Sequence, residues 1–396
     1  NNKRLKIFIN MDLPETLGQS LELAMDFTGS MFTPQSIDAR LFVQGKNINL
    51  AKIITGDLPF DFTITQGHGD FAIWSSWQAA QMVDMSGTVN IHDTTLKGLQ
   101  KHALPIDQLD LQFKLQKQQQ QWQLALQNTT LSSQQITADI AQLAVALEQN
   151  EQGKLTQVAL NCPNLNIGQL ANMITANKAF PKDIQQPLQA LAVEGYVKDL
   201  LFLANIPEHT FAINAQLNKI KFEASEALPG LKGLSLYIKG TEQQGDIQLR
   251  AQKLTFTAPN LFREPLFFKQ ALGAFHWQQA TDNWTLSSPL LTLNSTAFNT
   301  DNTFKLTIPK NDQAIDLSLR SNFAIHDATQ TPHYLPVGVI DDALVEWLDN
   351  AFLAGHANGG ILFHGALNDY PFTQPKGVFE ILFDAHDVTL HYAADW

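Results

Sequence analysis

Eleven histidines, one cysteine and 38 carboxylates are the groups in this chain that could move protons, attack a substrate or ligate a metal. Such chemistry needs several of them held in one fixed constellation, and the histidines are scattered singly. His386 and His391 are the closest pair. They lie on what reads as a slipped strand, where they face different sides and read as solvent-facing residues rather than metal ligands. His68, between Gly67 and Gly69, reads as a loop residue rather than a general base. Asp341 and Asp342 resemble a carboxylate pair, but placement at a helix N-terminus accounts for both. Cys162-Pro163 has no neighbouring cation to activate a thiol and reads as a small buried residue. Dinucleotide and phosphate loops, a His-Glu-x-x-His helix and a Gly-x-Ser-x-Gly elbow are missing from the sequence. No catalytic residue, metal site or cofactor is expected.

The 396 residues are 44% hydrophobic and only 16% charged, with a formal net charge of -12. Typical soluble domains carry about 25% charged residues; here Gln, Asn, Ser and Thr take up the difference. Twenty-five Phe and seven Trp, evenly spread, argue against disorder. The acidity, with no Lys/Arg-dense face, argues against nucleic acid as a partner. A single cysteine excludes an internal disulfide framework. No stretch of about 18 apolar residues is present that would cross a bilayer as a helix. The chain opens at Asn1-Asn2-Lys3-Arg4 without an initiator Met and closes at Ala393-Ala394-Asp395-Trp396. It reads as a piece of a longer protein whose targeting or anchoring segment lies elsewhere.

Strand alternation recurs from end to end. Leu58, Phe60, Phe62 and Ile64 share one parity, as do Leu109, Leu111, Phe113 and Leu115, with polar residues between them. Trp122/Leu124/Leu126, Phe211/Ile213/Ala215/Leu217, Ile247/Leu249/Ala251, Phe304/Leu306/Ile308 and Ile315/Leu317/Leu319 follow the same rule. Side chains alternate across a strand, so each run has one apolar and one polar face, the pattern of an antiparallel sheet with a dry and a wet side. Short polar segments join the runs as hairpin tips: Gln116 to Gln121, Gly240 to Gly245 and Gln278 to Asn283. A weak repeat of strand, polar tip and strand links Leu104–Leu131, Leu228–Phe256 and Leu272–Leu293, where Phe275/Trp277 are answered by Trp284/Leu286. The spacing points to modules stacked in one dimension.

Parity slips separate Leu217 from Ile220/Phe222, Ala251 from Leu254/Phe256, and Ala385 from Val388/Leu390. A slip in a continuous strand requires a bulge, which twists and bends the sheet; a strand broken by a turn gives the same pattern. Two stretches are helical instead. Asn164 to Leu191, with Pro181 and Pro187, reads as a pair of short helices or a helical loop. Ile340, Leu344, Trp347, Leu348, Ala351 and Phe352 fall on one face of an amphipathic helix, with Asp341/Asp342 at its start and Gly355 at its end. The organisation is therefore a β segment over 1–160, a helical interruption over 161–192, a β segment over 193–335, and the amphipathic helix with further strands over 336–396.

The apolar faces admit two readings that the pattern does not separate. They form a closed core, or they line an open trough that holds acyl chains. In the second reading the lining is Leu109, Leu111, Phe113, Leu115, Trp122, Leu124, Leu126, Phe211, Ile213, Leu217, Ile247, Leu249, Leu254, Phe256, Phe275, Trp277, Trp284, Leu286, Phe304, Leu306 and Leu317. The helix carrying Ile340, Leu344, Trp347, Leu348 and Phe352 then caps the apolar face or a sheet edge, or acts as a gate. A structural or adhesive β-protein of the envelope is the alternative. A carbohydrate-active enzyme is disfavoured because no carboxylate pair has a recognisable spacing.

A string of residues resembles a known family. It runs through Tyr334-Leu335-Pro336, Trp347-Leu348, Ala354-Gly355, Gly360 to Gly365, Tyr370-Pro371-Phe372, Gly377 to Glu380 and Tyr392 to Trp396. Upstream, Pro187 to Leu200, Leu228 to Gly245, Pro259 to Phe262 with Pro265-Leu266, and Gly273 to Trp277 extend it over roughly residues 160–396; Val193 replaces a more usual Pro. These stretches resemble the AsmA-like YhdP family of Gram-negative bacteria. The resemblance implies a mainly β fold: a long curled antiparallel sheet, or repeating β-groove, with a few short helices. It further implies non-enzymatic, bridge-like transport of phospholipid between inner and outer membranes, contributing to outer membrane biogenesis. The implied partners are phospholipid acyl chains, the inner membrane through an N-terminal anchor outside this segment, and other envelope proteins. The implied location is the periplasm.

Overall fold

A computed structural model describes residues 4–30, 33–54, 63–97, 102–225, 228–311 and 313–392. The chain is mainly β, with nineteen strands in one antiparallel sheet and a few short helices among the described residues. Two compact units divide it: Asn1–Gln189 with Val197–Phe211, and Ala190–Tyr196 with Ala212–Trp396.

The first unit holds β1 (Arg4–Asp12), β2 (Ser20–Ser30), β3 (Thr33–Asn49), β4 (Thr63–Gln78), β5 (Gln81–Lys97), β6 (Ala103–Gln118), β7 (Gln121–Ser133), β8 (Ile136–Gln149), β9 (Leu155–Asn166) and most of β10 (Glu194–Asn205). From β1 to β9 each strand pairs antiparallel with its neighbour in sequence. Three helices punctuate the meander: α1 (Leu50–Ile53), α2 (Ile167–Ala176) and α3 (Lys182–Leu191). The expected helix pair after Asn164 is thus present. Asn166 caps α2 by accepting from the Gln169 N–H at 3.1 Å, as an Asx N-cap should. The buried Asn177 ties both helices down. Its Nδ2 donates to the Met173 carbonyl at 2.7 Å, and the Ser133 hydroxyl donates to its Oδ1 at 3.3 Å.

The second unit holds most of β11 (Thr210–Phe222), with β12 (Gly230–Thr241), β13 (Gln244–Thr257), β14 (Leu266–Gln279), β15 (Asn283–Asn294), β16 (Phe298–Pro309), β17 (Asp316–Ile325), β18 (Phe352–Ala366) and β19 (Val378–Leu390). Its strands also pair consecutively. The three repeat segments are the hairpins β6–β7, β12–β13 and β14–β15, and the polar tips contract to two or three residues outside the strands.

The parity slips are bulges. Lys219, Lys253 and Asp387 adopt left-handed φ values of 51°, 58° and 51°. The ladders shift register beside them. Asn47, Asp93 and Asn128 do the same in the first unit. One extra residue resets the alternation, so the side chain that follows turns inward. Ile48, Thr94, Thr129, Ile220 and Leu254, each directly after such a residue, are all buried.

Four sequence expectations need correction or fall outside the described residues. His68 is a strand residue within β4, paired with His92. The helix α4 covers Asp342–Ala351. It stops before Gly355, because Phe352 already pairs with Leu390 as the first residue of β18. Asp341 does cap it, accepting from the N–H groups of Ala343 and Leu344 at 3.0 and 3.4 Å. Ala351 of the expected stripe is buried, together with Val345 from outside it, whereas Leu344 and Trp347 are 46% and 37% exposed. Leu58, Phe60 and Phe62 lie outside the described residues.

Candidate functional site: an apolar sheet face

Register turns the alternation of single strands into continuous rows. In the first unit one row runs Ile9, Leu23, Val43, Ile73, Gly87, Phe113, Leu126 and Leu143, each opposite the next. The adjoining row runs Ile7, Met25, Leu41, Ser75, Met85, Leu115, Leu124, Val145 and Leu160. Leu109 and Leu111 extend the same face through Ile91 and Val89, and Trp122 does so through Leu147. Cross-strand apolar neighbours of this kind are the unit of sheet stabilisation. None of the seven expected lining residues from Leu109 to Leu126 is fully buried; all are half-buried. A closed core would bury them.

In the second unit the face has two zones. Leu249, Leu254, Leu266 and Phe268 are buried with Ala251 and Ala271, and Phe256, Phe275, Phe298 and Tyr334 pack against them. Toward the other rim the face stays half-buried at Ile213, Leu217, Ile247, Phe275, Trp277, Trp284, Leu286, Phe304, Leu306 and Leu317. These residues are again register neighbours: Leu286 sits opposite both Trp277 and Leu306, and Leu306 opposite Leu317. Trp277 lies flat across Gly245, its indole N–H donating to the Thr241 carbonyl at 3.3 Å. Phe211, 40% exposed, belongs to the first unit and stacks on Phe202 at 6.1 Å.

The polar face offers little chemistry. Sequence reasoning missed two cross-strand histidine pairs, His68–His92 and His356–His386, with ring centroids 6.1 and 5.4 Å apart. Their members are far apart in sequence, and only register brings them together. Among the described residues no group of three or more His, Cys, Asp or Glu is placed to hold a metal. Burial pushes the Cys162 thiol pKa up, the opposite of what a nucleophile needs. None of the described helices is long and apolar enough to cross a membrane.

The profile of the YhdP protein family matches residues 1–396. The chain belongs to that family. A curated YhdP relative, the intermembrane phospholipid transporter YhdP of Escherichia coli (strain K12), is 22% identical over 201 residues. The alignment covers 48% of this chain and 16% of that relative, so the chain spans only a small part of the YhdP protein it matches. No solved structure matches. The family match reaches the first 160 residues, which the quoted motifs left to strand pattern alone.

Proposed function

We propose that this chain carries phospholipid between the inner and outer membranes without chemistry, its acyl chains lying on the apolar sheet face. The observation that carries this reading is the half-buried state of long rows of register-matched aliphatic and aromatic residues, in which Phe113 faces Leu126. Apolar area on that scale, left partly open, calls for an apolar occupant. An acyl chain supplies one, at about 0.8 kcal/mol per methylene removed from water. Contacts from Leu, Ile and Phe are weak and non-directional, so a chain held by them slides rather than locks. The left-handed bulges support a sheet that curls toward its dry face, leaving headgroups wet at the rim.

Where Leu249, Leu254 and Phe268 are buried, protein already fills the face; the lining we assign in the second unit is the half-buried zone from Ile247 to Leu317. In this reading the chain is an inner stretch of a periplasmic groove, and the inner-membrane anchor and envelope partners belong to the longer protein. A structural or adhesive role is the competing assignment.

The test is organic extraction of the purified chain followed by mass spectrometry. Phospholipid at near-stoichiometric amounts is expected. None recovered from a stably folded chain, even after incubation with phospholipid vesicles, would leave the structural role standing instead.

A further inference from the structure

The packed zone of the second unit owes part of its cover to a strap, residues 326–351, between β17 and β18. It begins with a 3-10 turn, Ala328–Tyr334, whose start is fixed by the Asp327 carboxylate accepting from the Thr329 N–H and hydroxyl. Tyr334 then stands edge-on to Phe298 at 4.5 Å, above the cluster of Leu254 and Phe268. The strap is clasped by the loop 258–265 between β13 and β14. Arg263 donates two parallel hydrogen bonds to Asp349, at 2.8 and 2.7 Å. His333 Nδ1 lies 3.3 Å from Glu264 Oε2. Gly338 lies against Asn260 so closely that a Cβ there would come within 1.8 Å of the Asn260 carbonyl, and its N–H donates to the Leu261 carbonyl at 3.2 Å.

These grips differ in kind from the core they cover. The Arg263 and Asp349 side chains are 39% and 30% exposed, and ion pairs in water are weakly held. Within α4 only Val345 and Ala351 are buried. Elements with few buried contacts and solvent-exposed bonds are those that open first. Below the strap lies apolar surface continuous by register with the half-buried zone: Leu254 faces Phe268, and Ile247 faces Phe275, along the same pair of strands.

We propose that residues 326–351 are a gate over the apolar face of the second unit, latched by Arg263 and Asp349, whose release admits an acyl chain at that rim. The proposal rests on the lipid-carrying reading above. The Arg263 guanidinium, hydrogen-bonded to Asp349, holds its proton more tightly than usual.

The experiment compares the wild-type chain with Arg263→Gln, Asp349→Asn and the charge swap Arg263→Asp/Asp349→Arg. Amide hydrogen exchange follows the strap. Uptake of a self-quenched fluorescent acyl-chain phospholipid, offered in vesicles of phosphatidylethanolamine and phosphatidylglycerol, follows access. Both single variants should exchange faster over 326–351 and load about two- to fivefold faster, the population change that loss of an exposed ion pair gives. The final amount loaded should be unchanged, and the swap should return both rates toward wild type. Loading rates equal to wild type, with the strap demonstrably loosened, overturn the gate and leave the lipid reading intact. A wild-type chain that takes up no labelled lipid overturns both.

Discussion

Trp277 and Gly245 are direct partners across the β13–β14 ladder, and the indole occupies the space that any side chain at residue 245 would need: a Cβ there would fall 2.1 Å from the ring. Gly245→Val should therefore expel Trp277 from its seat and break its bond to Thr241. A loss of about 1–3 kcal/mol is expected from overpacking of this kind, read by denaturant unfolding together with a changed near-ultraviolet spectrum.

Phe113 and Leu249 carry the same kind of side chain on the same kind of face, but their surroundings differ. Phe113 is half-buried and Leu249 is 7% exposed within a packed cluster. Phe113→Asp should abolish lipid recovery while the chain keeps a β-sheet spectrum and nearly wild-type stability. Leu249→Asp should instead cost several kcal/mol, about 3–5, through an unpaired carboxylate in a dry cluster. Mass spectrometry of extracts and thermal unfolding distinguish the two outcomes.

Lys253 holds a left-handed φ of 58° at the bulge that turns Leu254 inward. A side chain in that region costs about 1 kcal/mol, and a β-branched one more. Lys253→Gly should leave stability unchanged or raise it by up to about 1 kcal/mol, whereas Lys253→Val should lower it by about 1–2 kcal/mol. Equal effects from the two substitutions would mean that the bulge does not set the backbone here.

Hydrogen bonds from Arg4, across β1 and β2, hold the Asp26 carboxyl below its ordinary 3.8. A folded-state value lower than the unfolded one stabilises the fold above the unfolded value, and the gain disappears as pH falls through the lowered one. Unfolding titrations below pH about 4 should therefore show a steeper loss for wild type than for Asp26→Asn, in which that proton no longer binds. Because Arg4 is exposed and Asp26 only half-buried, salt should shrink the difference.

The strands and bulges were legible because they are local. Leu217 and Ile220 fall out of phase in the sequence itself, and the only continuous strand that accommodates them has an extra residue, which is Lys219. The alternation of β6 and β7 in the first unit was legible for the same reason. What sequence alone did not show depends on which segment meets which. Leu344, Trp347 and Ala351 share an apolar stripe, yet α4 buries only Ala351 of the three, together with Val345, since a hydrophobic stripe does not state which edge packs. Leu249 and Leu254 share the alternation of Ile247, but Tyr334, some eighty residues away, helps to cover their zone. The histidine pairs and the Arg263–Asp349 latch likewise join distant residues.

Among the described residues of each unit, the strands pair with the preceding or following strand. Most contacts of that kind close small loops, so the entropy to be overcome before most new ladders form is that of one hairpin, the strap between β17 and β18 being a longer closure. Assembly is then free to keep pace with delivery of the polypeptide: a strand that has just arrived finds its neighbour already waiting, and no distant partner has to be sought.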